Sequence, residues 1–403
     1  MRMIQRVAFR LCALYFVLYF LPFPVDAVFE PPGAPAWYAR FWDPPVNALG
    51  RVFGIHAPLH TVDGPDGLGH CVQLGSFFLV AALATGVWTA LDRRWPHDER
   101  AHDFLILWLR YALAAWMLAF GFAKVIPSQM ALPDPSLMVT PYGESTPMRL
   151  LWAFMGTSPA YERFAGAAEL AGGLLLLRRR TTALGALVCA AVLANVAMMN
   201  VCYDVPVKLD AIHLFLLSTF LLLPSSRRLV DTLVLGRAVP ALAAPALFPV
   251  RWRRPISALA ILFVAGVIYK QGSASGRHYF DDARGDGSPL PDPYGVYEVE
   301  EMRRDGVVVA PLLTDATYWH RLYFGRLGAG VVYADGSRET LALPGSTRGT
   351  WTSTRYAVKV THAEDGRLLV EGTVNGQKVV AIARPTDPKN RRLLQSSIHW
   401  YFD

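Results

Sequence analysis

The sequence predicts an α-helical polytopic membrane bundle of about seven spans, followed by a small antiparallel all-β domain of roughly 130 residues. Three observations point there. The 403-residue chain is 53% hydrophobic and only 18% charged, too apolar for an ordinary soluble protein of that length. Its long apolar runs lie almost entirely within residues 1–271, whereas 272–403 has the composition of soluble sequence. Its arginines fall in alternate connectors between apolar runs, as topology signals do.

A membrane helix needs about 20 mostly apolar residues. Seven stretches reach or approach that length, roughly 11–27, 72–91, 104–126, 161–177, 182–202, 209–223 and 256–270. The connectors at 1–10, 92–103, 178–181 and 224–255 hold Arg2, Arg6, Arg10, Arg93, Arg94, Arg100, Arg178, Arg179, Arg180, Arg227, Arg228, Arg237, Arg251, Arg253 and Arg254. Those at 28–71, 127–160 and 203–208 hold only Arg40, Arg51, Arg149 and Lys208. The positive-inside rule then puts the N-terminus in the cytoplasm and the C-terminal domain outside a bacterial inner membrane, in the periplasm. The net charge of +7 therefore reads as topology; no aromatic-interleaved basic patch or zinc-knuckle spacing supports a nucleic-acid partner. The bilayer is the predicted partner.

The opening Met1–Ala27 is basic, then apolar, and carries Val25-Asp26-Ala27, so a cleaved signal peptide is one reading. The aromatics and prolines of Tyr15–Pro24 favour a retained anchor. In 35–58, Trp37, Tyr38, Phe41, Trp42, Val46, Leu49, Val52 and Phe53 suggest an interfacial helix broken at Pro44-Pro45. In 128–158 a Pro-rich stretch leads to a short surface helix at Met148–Met155, and 224–255 is expected to lie along the headgroups. Four cysteines are too few for a disulfide framework. Cys12 and Cys189 read as small core residues, and Cys71 with Cys202 is a geometrically possible disulfide.

Gly272–Gly295 reads as a linker, rich in Gly, Ser, Asp and Pro. Short strands are expected at Val296–Met302, Val307–Ala310, Tyr318–Phe324, Gly330–Tyr333, Glu339–Leu343, Tyr356–His362, Leu368–Thr373 and Lys378–Ala383. Asp335-Gly336, Asp365-Gly366 and Asn375-Gly376 supply the positive φ of tight hairpins. An up-and-down sheet or small barrel follows. Trp319, Trp351 and Trp400 are pocket candidates, although large aromatics in a small sheet more often make its core. His320, His362 and His399 lack metal spacing, and no G-x-S-x-G motif is present.

Ionisable residues within spans need a partner or a purpose. Arg110 and Lys124 are fourteen residues apart on one helix face, about 21 Å apart in depth. Glu162 and Glu169 are seven apart and share a face; Asp210 and His213 are about one turn apart. Asn195, Asn200, Tyr203, Asp204 and Lys208 complete the polar set. Lys124, Glu169, Asn195, Asp210 and His213 are expected to converge in the outer half of the bundle. Three readings follow. Glu169 or Asp210 pairs with Lys124 or Arg110 to hold helices together. Alternatively, Glu169, Lys124 and His213 are catalytic groups of a quinone-linked redox site, with Arg110, Asn195, Asp210, Trp116, Phe120 and Phe122 around the ligand. The third is a transport path, disfavoured by the absence of repeats and broken-helix pairs.

Residues 104–223 resemble the four-helix membrane domain of the DoxX family. The resemblance rests on Arg110-Tyr111, on Phe120-Gly121-Phe122-Ala123-Lys124, and on Glu169-Leu170-Ala171-Gly172-Gly173-Leu174-Leu175-Leu176. The small-residue run Leu184–Met198 and Val205-Pro206-Val207-Lys208 with His213 also fit. The whole chain resembles a longer bacterial subgroup with extra spans and an outer β domain ending in an aromatic motif, here Ile398-His399-Trp400-Tyr401. The resemblance implies an N-terminal extension at 1–100, the four-helix domain at 101–225, a basic connector and last span at 226–271, and a β domain at 272–403. It also implies a quinone-linked redox component, with Lys124 and Glu169 matching the family pattern, or a scaffold recruiting periplasmic proteins. The stretch Gly64–His70 departs from the polar Gly-Asp-Thr-rich segment of that subgroup, and no haem, flavin or iron–sulfur signature is present. In arrangement alone, the chain also resembles the horizontally transferred transmembrane domain family, which includes vitamin K-dependent carboxylase. That likeness would give Lys124 or His213 the role of a base.

Overall fold

The structure, a computed structural model, describes residues 3–21, 23–24, 36–56, 58–59, 66–92, 98–240, 250–282, 285–326, 328–342, 350–352, 356–363 and 365–386. The chain divides into two compact units. One comprises Met1–Val125 with Phe164–Ser273, and the other Ile126–Arg163 with Ala274–Asp403.

The first unit is helical. In chain order its helices and those of the connectors are α1 (Met3–Phe20), α2 (Ala36–Val52), α3 (Leu68–Asp92), α4 (Asp98–Val125), α5 (Pro135–Met138), α6 (Pro147–Gly156), α7 (Pro159–Leu176), α8 (Thr182–Cys202), α9 (Lys208–Leu222) and α10 (Val250–Phe280). Among the described residues, six segments are long and apolar enough to cross a membrane: those containing α1, α3, α4, α8, α9 and α10. The expected stretch at 161–177 is also helical, as α7, but carries Glu162, Arg163 and Glu169 within 18 residues.

The inward face of α7 explains its packing. Glu162, Gly166, Glu169, Gly172, Gly173 and Leu176 are buried, at the three- and four-residue spacing of one helix face. Its glycines let backbones touch. A Cβ on Gly166 would lie 2.8 Å from the Gly121 carbonyl of α4, and one on Gly172 would lie 2.7 Å from Cys189 Sγ of α8. Helix α1 is a packed member of the bundle: Ala13, Phe16 and Phe20 join Leu109, Leu113 and Met117 of α4 and Leu217 of α9 in one core.

Two helical expectations need correction. Pro44 and Pro45 lie inside α2 without ending it. Tyr38 and Trp42 pack on Phe77, and Val46 on Leu59 and Val72, so tertiary contacts hold both halves. Trp37 and Phe41 remain exposed on the other face, as an interfacial helix requires. The linker begins later than expected, because α10 runs through Gly272 and Gly276 to Phe280. All four cysteines are free thiols, and Cys12 is exposed, not a core residue.

Among the described residues, the second unit carries a nine-stranded antiparallel sheet: β1 (Gly295–Arg304), β2 (Val307–Val308), β3 (Trp319–Gly325), β4 (Gly328–Tyr333), β5 (Arg338–Ala342), β6 (Thr350–Thr352), β7 (Tyr356–His362), β8 (Leu368–Val374) and β9 (Gln377–Pro385). Its order, β5-β4-β3-β1-β9-β8-β7-β6, is two meanders joined where β1 pairs β9, with β2 hanging on β1. A single up-and-down run does not describe it. The three expected Asx-Gly turns form, with Gly336, Gly366 and Gly376 at positive φ, and Asp305-Gly306 adds a fourth. Trp319, Leu322, Val331, Val358, Leu368 and Ala381 fill the core, so Trp319 packs the sheet. The side chain of Trp351, and His399 and Trp400 with the terminal motif, lie outside the described residues. The connector belongs to this unit: Asp134 accepts from the Arg326 N–H at 2.8 Å, and Asp286 accepts from the Leu132 N–H at 2.7 Å.

Candidate functional site

The polar residues of the bundle form separate clusters instead of one. In the first, Lys124 Nζ donates to both carboxylate oxygens of Glu169 at 2.9 Å. The two side chains are 8% and 4% exposed. Lys124 also lies 5.5 Å from the Phe120 ring centroid. Glycine places the pair: a Cβ on Gly166 would lie 2.7 Å from Lys124 Cβ, so α4 and α7 are closest beside the two charges.

The second cluster joins α1 to α9. Tyr15 and Tyr19 are one turn apart on α1, and Asp210 and His213 nearly one turn apart on α9, so the two pairs face as rungs. Tyr15 Oη lies 2.7 Å from His213 Nε2, and Tyr19 donates to Asp210 Oδ1. His213 Nδ1 lies 2.7 Å from the Leu209 carbonyl. A carbonyl only accepts, so Nδ1 carries a proton, and in the neutral ring Nε2 then accepts from Tyr15. The Tyr19 and His213 rings stack at 4.3 Å with 5° between planes. Asp66 accepts from the Lys208 and Leu209 N–H groups at 2.7 and 2.9 Å, capping the start of α9 from the segment before α3.

Arg110 belongs to neither cluster. Its guanidinium lies 5.3 Å from the Tyr111 ring and donates to Thr182 Oγ1 at 3.2 Å, at the start of α8. Asn195 is exposed on α8 and joins no described cluster, which corrects the expected convergence. Its position, two residues from buried Leu193 and Ala197, turns it away from the core. The Trp116 and Phe120 rings lie 5.5 Å apart, tilted at 41°, and pack against the core, with Phe20 6.5 Å from Trp116. Among the described residues, no group of three or more His, Cys, Asp or Glu is placed to hold a metal ion.

In the second unit, Arg326 is buried and donates to the Ser288 hydroxyl and carbonyl, each at 2.6 Å. Burial raises the Asp286 carboxyl above its ordinary pKa of 3.8, against the Leu132 N–H and Arg326, which lower it. His362 is exposed and pairs with Asp292 at 2.7 Å.

The chain is 32% identical over 119 residues to the uncharacterized protein YwoB of Bacillus subtilis, covering 75% of that protein and 30% of this chain. This chain belongs to the YwoB family. No family model matches it, and no solved structure does. The match covers less than a third of this YwoB-family chain.

Three functional candidates in this YwoB-family chain escaped sequence reasoning. Tyr15 and Tyr19 read as aromatics of a hydrophobic anchor, although their i, i+4 spacing with matching hydroxyls is a signal of interhelical bonding. Asp66 sits in a Gly-Pro-Asp-Gly turn, where nothing local marks it as a cap for a helix 142 residues away.

Proposed function

We propose that this protein is a DoxX-like scaffold of a bacterial inner membrane. Seven spans, with the N-terminus in the cytoplasm, hold the β-sheet unit in the periplasm for a protein partner to dock on. The closure of Lys124 on Glu169 carries the scaffold reading. A quinone site needs a protonatable group free to meet the ligand. Here both carboxylate oxygens accept from one buried ammonium, and glycine contacts press the two helices together around it. An ion pair so enclosed holds helices in register.

Parity supports seven spans. Residues 126–163 and 274–403 belong to one compact unit, and this reading puts both on one side of the bilayer. The chain must then cross an even number of times between Val125 and Ser273. Helices α7, α8, α9 and α10 give four crossings; leaving out α7 gives three, which would part the two halves of the unit.

The test is quinone binding to the purified full-length protein. In the scaffold reading, ubiquinone and menaquinone leave its unfolding midpoint unchanged. A quinone-dependent rise that Glu169→Gln removes would sink it.

A second reading, a quinone-linked redox component, is favoured by the Tyr15–His213 and Tyr19–Asp210 rungs. They join a neutral imidazole to a carboxylate through stacked rings, as a proton path to a bound quinol would require. Its mark is a quinone-induced shift lost in His213→Gln and kept in the Lys124→Met/Glu169→Met double variant.

A further inference from the structure

We propose that α3 is a dimerisation helix, and that the groove beside it takes the α3 of a second copy of this chain. The groove, about 710 Å³ in volume, opens between α1 and α3. Val7 and Leu11 line it from α1. From α3 it is lined by Ala82, Gly86 and Ala90, four residues apart and all exposed on one helix face. The next row of α3 is large where this one is small: Leu79, Leu83 and Val87 are exposed beside it. A groove row and a ridge row on one helix make that helix complementary to itself. Two such surfaces interdigitate at a crossing angle of about −40 to −50°, the geometry of small-residue membrane dimers. Copies inserted in the same direction are related by a two-fold axis along the membrane normal, so like residues meet, Gly86 against Gly86.

Two further observations point to a helix as the occupant. The first is Gly86 itself. Gly121, Gly166, Gly172, Gly173 and Gly185 are glycines for a reason inside the chain, since a Cβ on each would come within 3.1 Å of a neighbour. A Cβ on Gly86 would meet nothing within 4 Å. Glycine in a helix interior is costly, and nothing in this chain requires it there. Fluid lipid tails shape themselves to any surface, whereas a second backbone needs a bare one. The other observation is Thr85, which lines the same groove, is 4% exposed, and has a buried hydroxyl that bonds nothing. An unmet hydroxyl in apolar surroundings is unfavourable, and threonine bonding across helices is one of the contacts that associates membrane spans. A charged lipid headgroup is not called for. Arg10 donates to Thr89, also in the groove, at 3.0 Å and meets Asp92 at 2.6 Å, so its charge is matched within the chain.

The test counts copies in a bilayer. Full-length protein, labelled with one dye per chain, is reconstituted into liposomes at falling protein-to-lipid ratios and counted by photobleaching steps. Wild type should pass from two-step to one-step spots on dilution. Gly86→Leu fills the groove and should weaken the dimer at least about tenfold. Gly86→Ala separates the dimer from the fold. It should raise the unfolding midpoint of the diluted, single chain, because a helical glycine is removed into open space, yet weaken association. Thr85→Val keeps the shape, loses the hydroxyl and should weaken association about threefold. Leu262→Ala, exposed on α10, should dimerise as wild type does. Should Gly86→Leu fail to insert, Gly86→Ala and Thr85→Val decide. Single copies at every ratio overturn the proposal and leave the groove to lipid chains or another protein's helix. Dimers that form equally well in the Gly86 and Thr85 variants overturn it too, since another face would then hold the copies together.

Discussion

Removing one charge of the Lys124–Glu169 pair should cost far more than removing both. The two side chains are 8% and 4% exposed, so water reaches neither. Lys124→Met leaves a buried carboxylate, and Glu169→Met leaves a buried ammonium, each costing about 3–5 kcal/mol, towards the lower end where the orphan exchanges a proton to become neutral. The double variant replaces an ion pair by two thioethers of similar bulk, which is close to neutral, within about 2 kcal/mol. A coupling energy of at least about 4 kcal/mol follows for the cycle. Unfolding of the four purified full-length proteins in mixed micelles by denaturing detergent measures it. Single costs that simply add, within about 0.5 kcal/mol, would refute the reasoning, because the two charges would then not be holding each other.

Other substitutions test the packing and the caps. Gly166→Ala puts a Cβ 2.7 Å from Lys124 Cβ and 2.8 Å from a carbonyl, and should cost about 1–3 kcal/mol in the same titration. Gly143→Ala, with open space around its Cβ, should stay within about 0.5 kcal/mol. Asp66→Ala removes the acceptor of two N–H groups at the start of α9 and should cost about 1–2 kcal/mol, while Asp66→Asn keeps most of the cap. The Asp286 carboxyl is raised in the folded protein, so its protonated form favours folding. That contribution is full below its ordinary 3.8 and is lost as pH climbs through the raised value. Unfolding midpoints across that range should fall with rising pH in wild type and fall less in Asp286→Asn.

Periodic signals in the sequence carried the coarse architecture. Six apolar segments and eight of the nine strands lie near their expected places, because burial imposes a 20-residue length on one and alternation on the other. Thr350–Thr352 was missed since three residues cannot show alternation. The double proline misled because propensity gave way to aromatic packing on Phe77. The candidate site was half legible. Face-sharing arithmetic located Lys124 and Glu169 on inward faces but cannot tell which helix lies opposite, so Asp210 and His213 were grouped with them when their partners are Tyr15 and Tyr19. The union of residues 126–163 with the β sheet depends on Asp134 meeting Arg326, 192 residues on, and no local pattern encodes that.

The most direct test of the architecture asks which face of the membrane each segment occupies. With Cys12, Cys71, Cys189 and Cys202 replaced by serine, single cysteines are placed by Gly143→Cys in the connector, Leu313→Cys in the β-sheet unit and Arg227→Cys beyond α9, all three exposed. A membrane-impermeant maleimide added to intact spheroplasts should modify the first two, and Arg227→Cys only after lysis. Labelling of Gly143→Cys and Leu313→Cys from opposite sides would contradict the account, since one folded unit cannot straddle the bilayer.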